Sequence, residues 1–395
     1  MNKQVSHIPS GYKPSPLGPI PEDWEVKRLG KICTHFKSGI TITSKDIHED
    51  GLYPVYGGNG LRGYANTFTH DGSYILIGRQ GALCGNVNYV DGKNYISEHA
   101  IAVQTNENMQ WLKYKLENWN LNRFSESSAQ PGLSVEKLVR YKLSVPTLKE
   151  QNKIADILSL WDTAIAKQTA LIENLTLRKR GLMQQLLTGK KRLKGFSGEW
   201  KNIKLGNIAE RITRKNEEDN RNVVTISAQR GFVVQTDFFN KSVASETLDN
   251  YFLVHKNEFC YNKSYSNGYP MGAIKRLKSF DKAVVTTLYI CFRLKEKLRT
   301  NIDFFEQYCE SGLLNKELVK VANEGGRAHG LLNVTPADFF NMHMGIPSIE
   351  EQTAIASVLV NADKEIEIHK QKLAAMQEQK KGLMQVLLTG KKRVH

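Results

Sequence analysis

GLMQQLLTGKKR fills residues 181–192, and GLMQVLLTGKKR fills residues 382–393 of a 395-residue chain. The copies differ at one position, Gln185 against Val386. Reading outward lengthens the match. VPTLKEQNKIADILSLWDTAI (145–165) aligns with IPSIEEQTAIASVLVNADKEI (346–366), Pro146 on Pro347, Gln151 on Gln352, Asp162 on Asp363 and Gly189 on Gly390, at a constant offset of 201. A shorter match opens each half: IPEDWEVKRLGKI (20–32) against FSGEWKNIKLGNI (196–208), Trp24 on Trp200 and Gly30 on Gly206, at an offset of 176. The chain therefore reads as two cassettes, each with a Trp-containing start, a variable middle and a shared helical end. The difference between the offsets makes the second middle 25 residues longer.

The shared end carries a 4-3 apolar stripe. It runs through Ile154, Leu158, Trp161, Ile165, Gln168, Ile172, Leu175, Lys179, Leu182 and Leu186, and through Ile355, Leu359, Ala362, Ile366, His369, Leu373, Met376, Lys380, Leu383 and Leu387. That spacing over more than four heptads predicts coiled-coil helices. Pro146 and Pro347 stand just ahead, and Gly189 and Gly390 fit the C-caps. Gln168, His369, Lys179 and Lys380 interrupt the stripe, either to set register or to exit to solvent. Gly181 and Gly382 weaken each helix and fit a close approach by a neighbour. Each predicted helix of about 37 residues is roughly 55 Å long. Its apolar seam needs a partner, and the other copy supplies one if the two run antiparallel. The expectation is two variable regions at opposite ends of a rod. Gln185 and Val386 lie off the predicted seam.

The middles read differently. Residues 31–142 look mainly like strands and turns, with YPVYGGNGLRGYANTF (53–68) as a hairpin and SYILIGRQGALCGNVNYV (73–90) as strand, loop and strand. Residues 207–343 look mixed, with strands at NVVTI (222–226) and AVVTTLYICFRL (283–294). GRQG lacks the spacing and Lys-Ser/Thr of a phosphate-binding loop.

A formal charge of +15 favours a polyanionic partner, with solubility or an anionic protein as the plain alternative. No apolar run approaches the roughly 18 residues of a membrane span. The N-terminal stretch has no signal-peptide core and reads as an irregular arm, so a cytoplasmic location is expected. Cys33, Cys84, Cys260, Cys291 and Cys309 are scattered without CxxC spacing, which indicates buried thiols and neither zinc nor disulfides. No methyltransferase NPPF or DPPY, Walker A or HExxH sequence occurs, and acidic residues are too dispersed to nominate a nuclease site.

These features together resemble the specificity subunit of type I restriction-modification systems. The resemblance rests on PTLKEQNKIADIL (146–158) and PSIEEQTAIASVL (347–359), on the long helices closing in GLMQxLLTGKKR, and on the Trp-x-x-x-x-Leu-Gly starts. The first middle also has YPVYGGNG, IGRQG and AQPGLSVEKL (129–138). The second departs, with AHGLLNVTPADF (328–339) in the last place and FCYNKSYSNG where IGRxG would stand.

The resemblance implies an α+β fold: two mixed α/β target-recognition domains separated by two long antiparallel coiled-coil helices, a pseudo-twofold internal repeat. The expected bounds are an arm at 1–19, recognition domains at 20–145 and 193–346, and helical spacers at 146–192 and 347–395. It implies double-stranded DNA as ligand, a split asymmetric target with one half-site per domain, two modification subunits, and motor/endonuclease restriction subunits. S-adenosylmethionine, ATP and Mg would be used by those partners, with no cofactor, metal or catalytic residue on this chain.

For base contact, loop placement and side-chain chemistry nominate Asn59, Arg62, Arg79, Gln80 and Asn86 in the first domain. In the second they nominate Gln229, Arg230, Lys263, Tyr265, Asn267 and Arg327. Taken without context, a plain surface turn accounts for Arg79 more simply, and packing accounts for the tyrosines. His329 shares a flexible loop with Arg327. Lys190, Lys191, Arg192, Lys194, Lys391, Lys392 and Arg393 are candidates for phosphate or a partner subunit, or for solvated charge. Two rival readings remain: a non-catalytic coiled-coil interaction scaffold, and an enzyme whose dispersed acids meet only in the fold.

Overall fold

The computed structural model describes residues 8–81, 83–125, 132–236, 248–296, 300–324 and 332–394. The chain forms two compact units, one of residues 1–170 with 371–395 and one of residues 171–370.

In the first unit the two ends of the cassette meet. Glu25–Arg28 pairs antiparallel with Lys142–Val145, which leads into the long helix. Beyond this frame, Cys33–Ser38, Ala100–Thr105, Tyr74–Gly78 and Val87–Val90 form an antiparallel sheet in that order. Strand alternation explains why YILIG is buried throughout. Ile75 and Ile77, with Ile101 and Val103, face a core that contains Trp111 and Leu112. Tyr74 and Leu76, with Ala100 and Ala102, face a second core with Val90 and Ile96. A further sheet joins Gly60–Ala65, Tyr53–Gly57, Lys93–Ile96 and His70–Asp71, and its Tyr53–Gly57 and Lys93–Ile96 strands run parallel.

The second unit repeats the frame and the first sheet. Lys201–Lys204 pairs with His343–Ile346. Ala209–Ile212, Ile290–Leu294, Phe259–Asn262 and Ala273–Arg276 stand in the same spatial order. Phe259, Tyr261 and Phe292 pack with Phe304 and Phe305, while Cys260 and Cys291 face the opposite core with Val254 and Val285. The hairpin Val224–Ser227 with Gly231–Val234 and the antiparallel pairs Phe252–His255 with Lys282–Val285 and Asn323–Glu324 with Leu332–Asn333 are further parts of this unit.

Several sequence expectations need correction. The apolar run 283–294 is two strands, Lys282–Val285 and Ile290–Leu294, in different sheets. A turn at 286–289 breaks it and leaves Leu288 exposed. The strand-rich first middle also holds a helix, Met109–Asn118, whose first turn is capped by the Asn108 side chain. Its counterpart, Ile302–Glu310, is capped by Asn301. The arm is less irregular than its Pro and Gly content suggests. Tyr12–Lys13 pairs with Ile20–Pro21, and the Tyr12 hydroxyl donates to the Gly390 carbonyl at 2.6 Å, tying the arm to the tail after the second long helix.

The long helices run Leu148–Leu186 and Ile349–Leu387. In the first unit Ile154 and Leu158 are fully buried and Trp161 and Ile165 half-buried. Leu373, Met376 and Leu383 are half-buried and Leu387 is buried. In the second unit Leu175, Leu186, Ile355, Leu359, Ala362 and Ile366 are buried, with Ile172 and Leu182 half-buried. Gln168 is buried and His369 half-buried.

The lysine interruptions are not exits to solvent. In the first unit Lys380 Nζ reaches Asp162 at 2.5 Å, and in the second Lys179 Nζ reaches Asp363 at 2.6 Å. Arg393 likewise meets Glu150 and Arg192 meets Glu351. Within each unit the partner numbers fall along one helix as they rise along the other, so the segments are antiparallel. Val386 is half-buried against the first unit's core, whereas Gln185 is exposed, so this single difference between the copies touches packing at one end only.

Gly181 and Gly382 do not admit a close neighbour: a Cβ at either would meet nothing within 4 Å. Gly181→Ala and Gly382→Ala should therefore each raise stability by roughly 0.5–1 kcal/mol, read as a shift in denaturation midpoint. A loss of stability would show that a helix surface needs that gap.

The matching P-x-x-x-E-Q segments now have a physical account. Gln151 accepts the Asn108 amide at 2.9 Å and donates to the Pro146 carbonyl at 3.0 Å. Gln352 does the same with Asn301 and Pro347, both at 2.9 Å. Each glutamine thus ties the cap of the domain's helix to the start of its long helix. Each glutamate receives the arginine of the GKKR tail.

Candidate nucleic-acid interface

The first-unit candidates converge on one junction of glycines. Asn59 sits in the turn between Tyr53–Gly57 and Gly60–Ala65 and is exposed. Gly58 of that turn lies so close to the next loop that a Cβ would meet the Gly78 Cα at 3.3 Å and the His99 carbonyl at 2.9 Å. The Arg62 stem covers Gly57, its Cδ only 2.7 Å from where a Cβ would stand. Arg79 follows the buried strand Tyr74–Gly78. Its amide donates to the His99 carbonyl at 2.9 Å, and its carbonyl accepts from Leu133 at 2.9 Å. The loop folds back so that the Asn86 carbonyl accepts from Gly78 at 2.8 Å. Main-chain bonds therefore fix this loop, while the guanidinium groups of Arg62 and Arg79 have no protein partner among the described residues.

Sequence reasoning missed two members of this patch. His99 Nδ1 lies 3.3 Å from Gln80 Oε1, and His99 Nε2 lies 3.2 Å from Glu98 Oε1. Glu98 Oε2 accepts the Ile42 amide at 3.3 Å. His99 lies outside the frame strands and belongs to no motif; only the fold brings it beside Gln80.

The second unit has the corresponding loop. Phe259–Asn262 takes the place of Tyr74–Gly78 in the sheet, and Lys263 follows it as Arg79 follows its strand. The match extends to the main chain: Leu332 donates to the Lys263 carbonyl at 3.1 Å, as Leu133 does to Arg79. Lys263 is half-buried, and that burial pushes its ammonium below the usual lysine range. Tyr265 on the same loop is 64% exposed, and Asn267 is exposed. Gln229 and Arg230 come from the turn between Val224–Ser227 and Gly231–Val234. Gln229 Nε2 donates to the Asn267 carbonyl at 2.9 Å, which joins the two loops. Arg230 lines a cleft of about 800 Å³ with Gln229, Tyr269 and Arg180. Arg327, with His329, lies outside the described residues.

The basic tails divide. Arg192 and Arg393 are not available for phosphate. Arg192 makes a bidentate pair with Glu351 at 2.5 and 2.6 Å, and Arg393 holds both Glu150 and Asp23. Buried carboxylates claim them, which strengthens their hold on the proton. Lys190, Lys191, Lys194, Lys391 and Lys392 are exposed.

Among the described residues, no three His, Cys, Asp or Glu side chains are grouped to hold a metal ion, and no helix is long and apolar enough to cross a membrane. The five thiols are unpaired; Cys260 and Cys291 are cross-strand neighbours in the second unit's core.

Comparison with known proteins agrees with this layout. The family model described as type I restriction modification DNA specificity domain matches residues 21–177 and again 197–378. The type I restriction enzyme EcoprrI specificity subunit of Escherichia coli is 45% identical over 143 residues, a match that spans 35% of each chain. The type I restriction enzyme MjaVIII specificity subunit of Methanocaldococcus jannaschii is 25% identical over 95% of this chain and 94% of its own. The crystal structure of a type I restriction-modification S subunit from M. genitalium shares the fold, with a TM-score of 0.59 at 15% identity over 92% of this chain and 96% of that one. With the specificity model matched once in each cassette, the chain belongs to the specificity subunits of type I restriction-modification systems, non-catalytic DNA-recognition modules.

Proposed function

We propose that this chain reads a bipartite, asymmetric sequence in double-stranded DNA, one half-site through residues 20–145 and the other through 193–346. The observation that supports this most is the repeated loop. Each unit carries a cation, Arg79 or Lys263, directly after the same strand of the same sheet, with its carbonyl held by a leucine amide. A fixed main chain with an unpaired guanidinium suits bidentate reading of guanine in the major groove. Neighbouring amides and the exposed Tyr265 add further polar and stacking groups. The helical segments 146–192 and 347–395 set the spacing between half-sites and form the platform for two modification subunits.

Methylation of adenine with S-adenosylmethionine, and ATP- and Mg-dependent translocation and cleavage, belong to the modification and restriction subunits. The adenine must leave the duplex to be methylated, so DNA held by this subunit is distorted nearby. The excess of positive charge over the whole chain supports backbone contact and salt-dependent affinity.

The test is to assemble the subunit with its methyltransferase partners and map the methylated adenines, which gives both half-sites and the spacer. In that complex Arg79→Ala should weaken binding to the mapped target by about 1–3 kcal/mol while leaving non-specific binding unchanged. A uniform loss across sequences would make Arg79 a phosphate contact, and a complex without sequence selectivity would overturn the reading.

A further inference from the structure

Lys115 is a buried cation with no carboxylate beside it. Its side chain is 4% exposed, and Nζ donates to the Leu388 carbonyl at 2.5 Å and to Ser144 Oγ at 3.1 Å, both neutral oxygens. An ammonium has three N–H donors, so the third has no partner among the described residues. Charge in a low dielectric is costly, and buried cations are ordinarily paired for that reason.

Lys115 and Ser144 line a cavity of about 350 Å³ that lies wholly within the first unit. Among the described residues its walls also hold Arg123 and Lys142, and no acidic side chain. The Arg123 guanidinium lies over the Phe124 ring, 4.6 Å from its centroid, and makes no ion pair there. Phe124 packs on Tyr141 with ring centroids 4.3 Å apart, and on Trp119 at 6.2 Å. All three rings face onto the cavity lining, with Leu17 and Ile20 supplied by the arm.

We propose that this cavity binds a small organic anion with a flat apolar body, of the aromatic carboxylate class. Its charge would take the third N–H of Lys115, and its ring would pack against Phe124 and Tyr141. Ligand cavities span roughly 300–1,000 Å³ and combine apolar and aromatic walls with a few placed polar groups. A volume of about 350 Å³ is at the small end and suits a single-ring ligand. An inorganic anion would leave the aromatic walls unused. A neutral ring would leave the ammonium without a counter-charge. An aromatic carboxylate satisfies both, through a charge-assisted hydrogen bond and ring contact. The domain helix, the frame strand and the tail already converge on the ammonium through Lys115, Ser144 and Leu388. A bound anion would therefore fasten the tail of the chain to the first domain. Nothing in this assignment depends on how the chain meets DNA.

The experiment titrates the full chain with sodium benzoate, benzamide and inorganic phosphate by calorimetry at one ionic strength, with hydrogen exchange to place the site. Benzoate should bind saturably, at least about tenfold more tightly than benzamide or phosphate. It should also slow exchange in residues 115–124 and 141–144. K115M, which keeps an unbranched apolar stem, should weaken benzoate at least about tenfold. Arg123 is exposed, so R123Q should leave the fold intact and weaken benzoate several-fold. Absence of saturable benzoate binding, or equal binding of benzamide, would overturn the proposal. So would phosphate binding as tightly as benzoate, since the aromatic walls would then contribute nothing. Unchanged affinity in K115M, or in R123Q should K115M not fold, would also overturn it.

Discussion

Arg192→Ala should destabilise the second unit clearly more than the loss of a lone exposed arginine would, because it removes both hydrogen-bond partners of a buried carboxylate. Only 2% of the Glu351 side chain is exposed, and both its oxygens are taken by Arg192, at 2.5 and 2.6 Å. Removing the guanidinium strands a carboxylate where water cannot replace the lost bonds. The nearby aromatic of the cassette start gives no relief, since Trp200 Nε1 has no partner. Arg393→Ala should cost less, because Glu150 keeps the Trp24 Nε1 bond at 2.7 Å and the Val394 amide at 3.3 Å. Denaturant unfolding of the full chain measures both losses, and hydrogen exchange assigns the first to residues 171–370. Adding Glu351→Gln to Arg192→Ala should recover most of the loss, because the stranded charge is then gone. A loss no larger than that of a lone exposed arginine would mean that the pair is a surface contact.

The second large effect is a pH dependence centred on Lys115. Its side chain is buried, at 4% exposure, on the helix Met109–Asn118. Nζ donates to the Leu388 carbonyl at 2.5 Å and to Ser144 Oγ at 3.1 Å. Burial pushes its pKa down to about 8 from the ordinary 10.5. Between those values the unfolded chain binds the proton and the folded chain does not, so folding stability rises with pH there. Below about 8 the full cost of charging Lys115 is present, roughly 3 kcal/mol from this shift. Above 10.5 it is gone. Lys115→Met should remove that slope, so the stability difference between variant and wild type should narrow or reverse between pH 8 and 10.5. Parallel pH profiles for the two proteins would show that Lys115 is solvated. The second unit avoids this arrangement. Counted from its cap, the corresponding residue of Ile302–Glu310 is Tyr308, a neutral side chain at neutral pH.

How much of this was legible in the sequence depends on what each residue touches. The repeated ends could be read directly, because the frame strands, the cap-binding glutamines and the Glu–Arg pairs demand the same residues in both units. The stripe could be read from its period, although Lys179 and Lys380 reveal their roles only when Asp363 and Asp162 are found across from them. The domain helices were missed. MQWLKYKLEN and IDFFEQYCE are short, and their first turns depend on asparagine caps that are themselves held by Gln151 and Gln352. The strand break at 286–289 was hidden because an apolar run says nothing about which sheet each half joins.

The candidate site was only partly legible. Gly-Arg-Gln-Gly could be seen as a loop and FCYNKSYSNG as holding its place in the second middle, while the pairing of Arg79 with Lys263 comes from sheet order and one leucine amide. His99 could not have been found, since its importance comes from two distances and not from any pattern.

The makeup of the first unit also has a consequence for synthesis. It needs residues 371–394, which supply the Leu388 carbonyl to Lys115 and Arg393 to Glu150. The second unit is one contiguous stretch, 171–370. At the roughly 5–20 residues per second of a ribosome, the later-made unit is complete while the earlier-made one still lacks its last wall. The nascent chain therefore finishes its halves in reverse order of translation. During that interval the apolar face around Trp24 and Leu143 stands uncovered, which makes it the stretch where a chaperone would be needed.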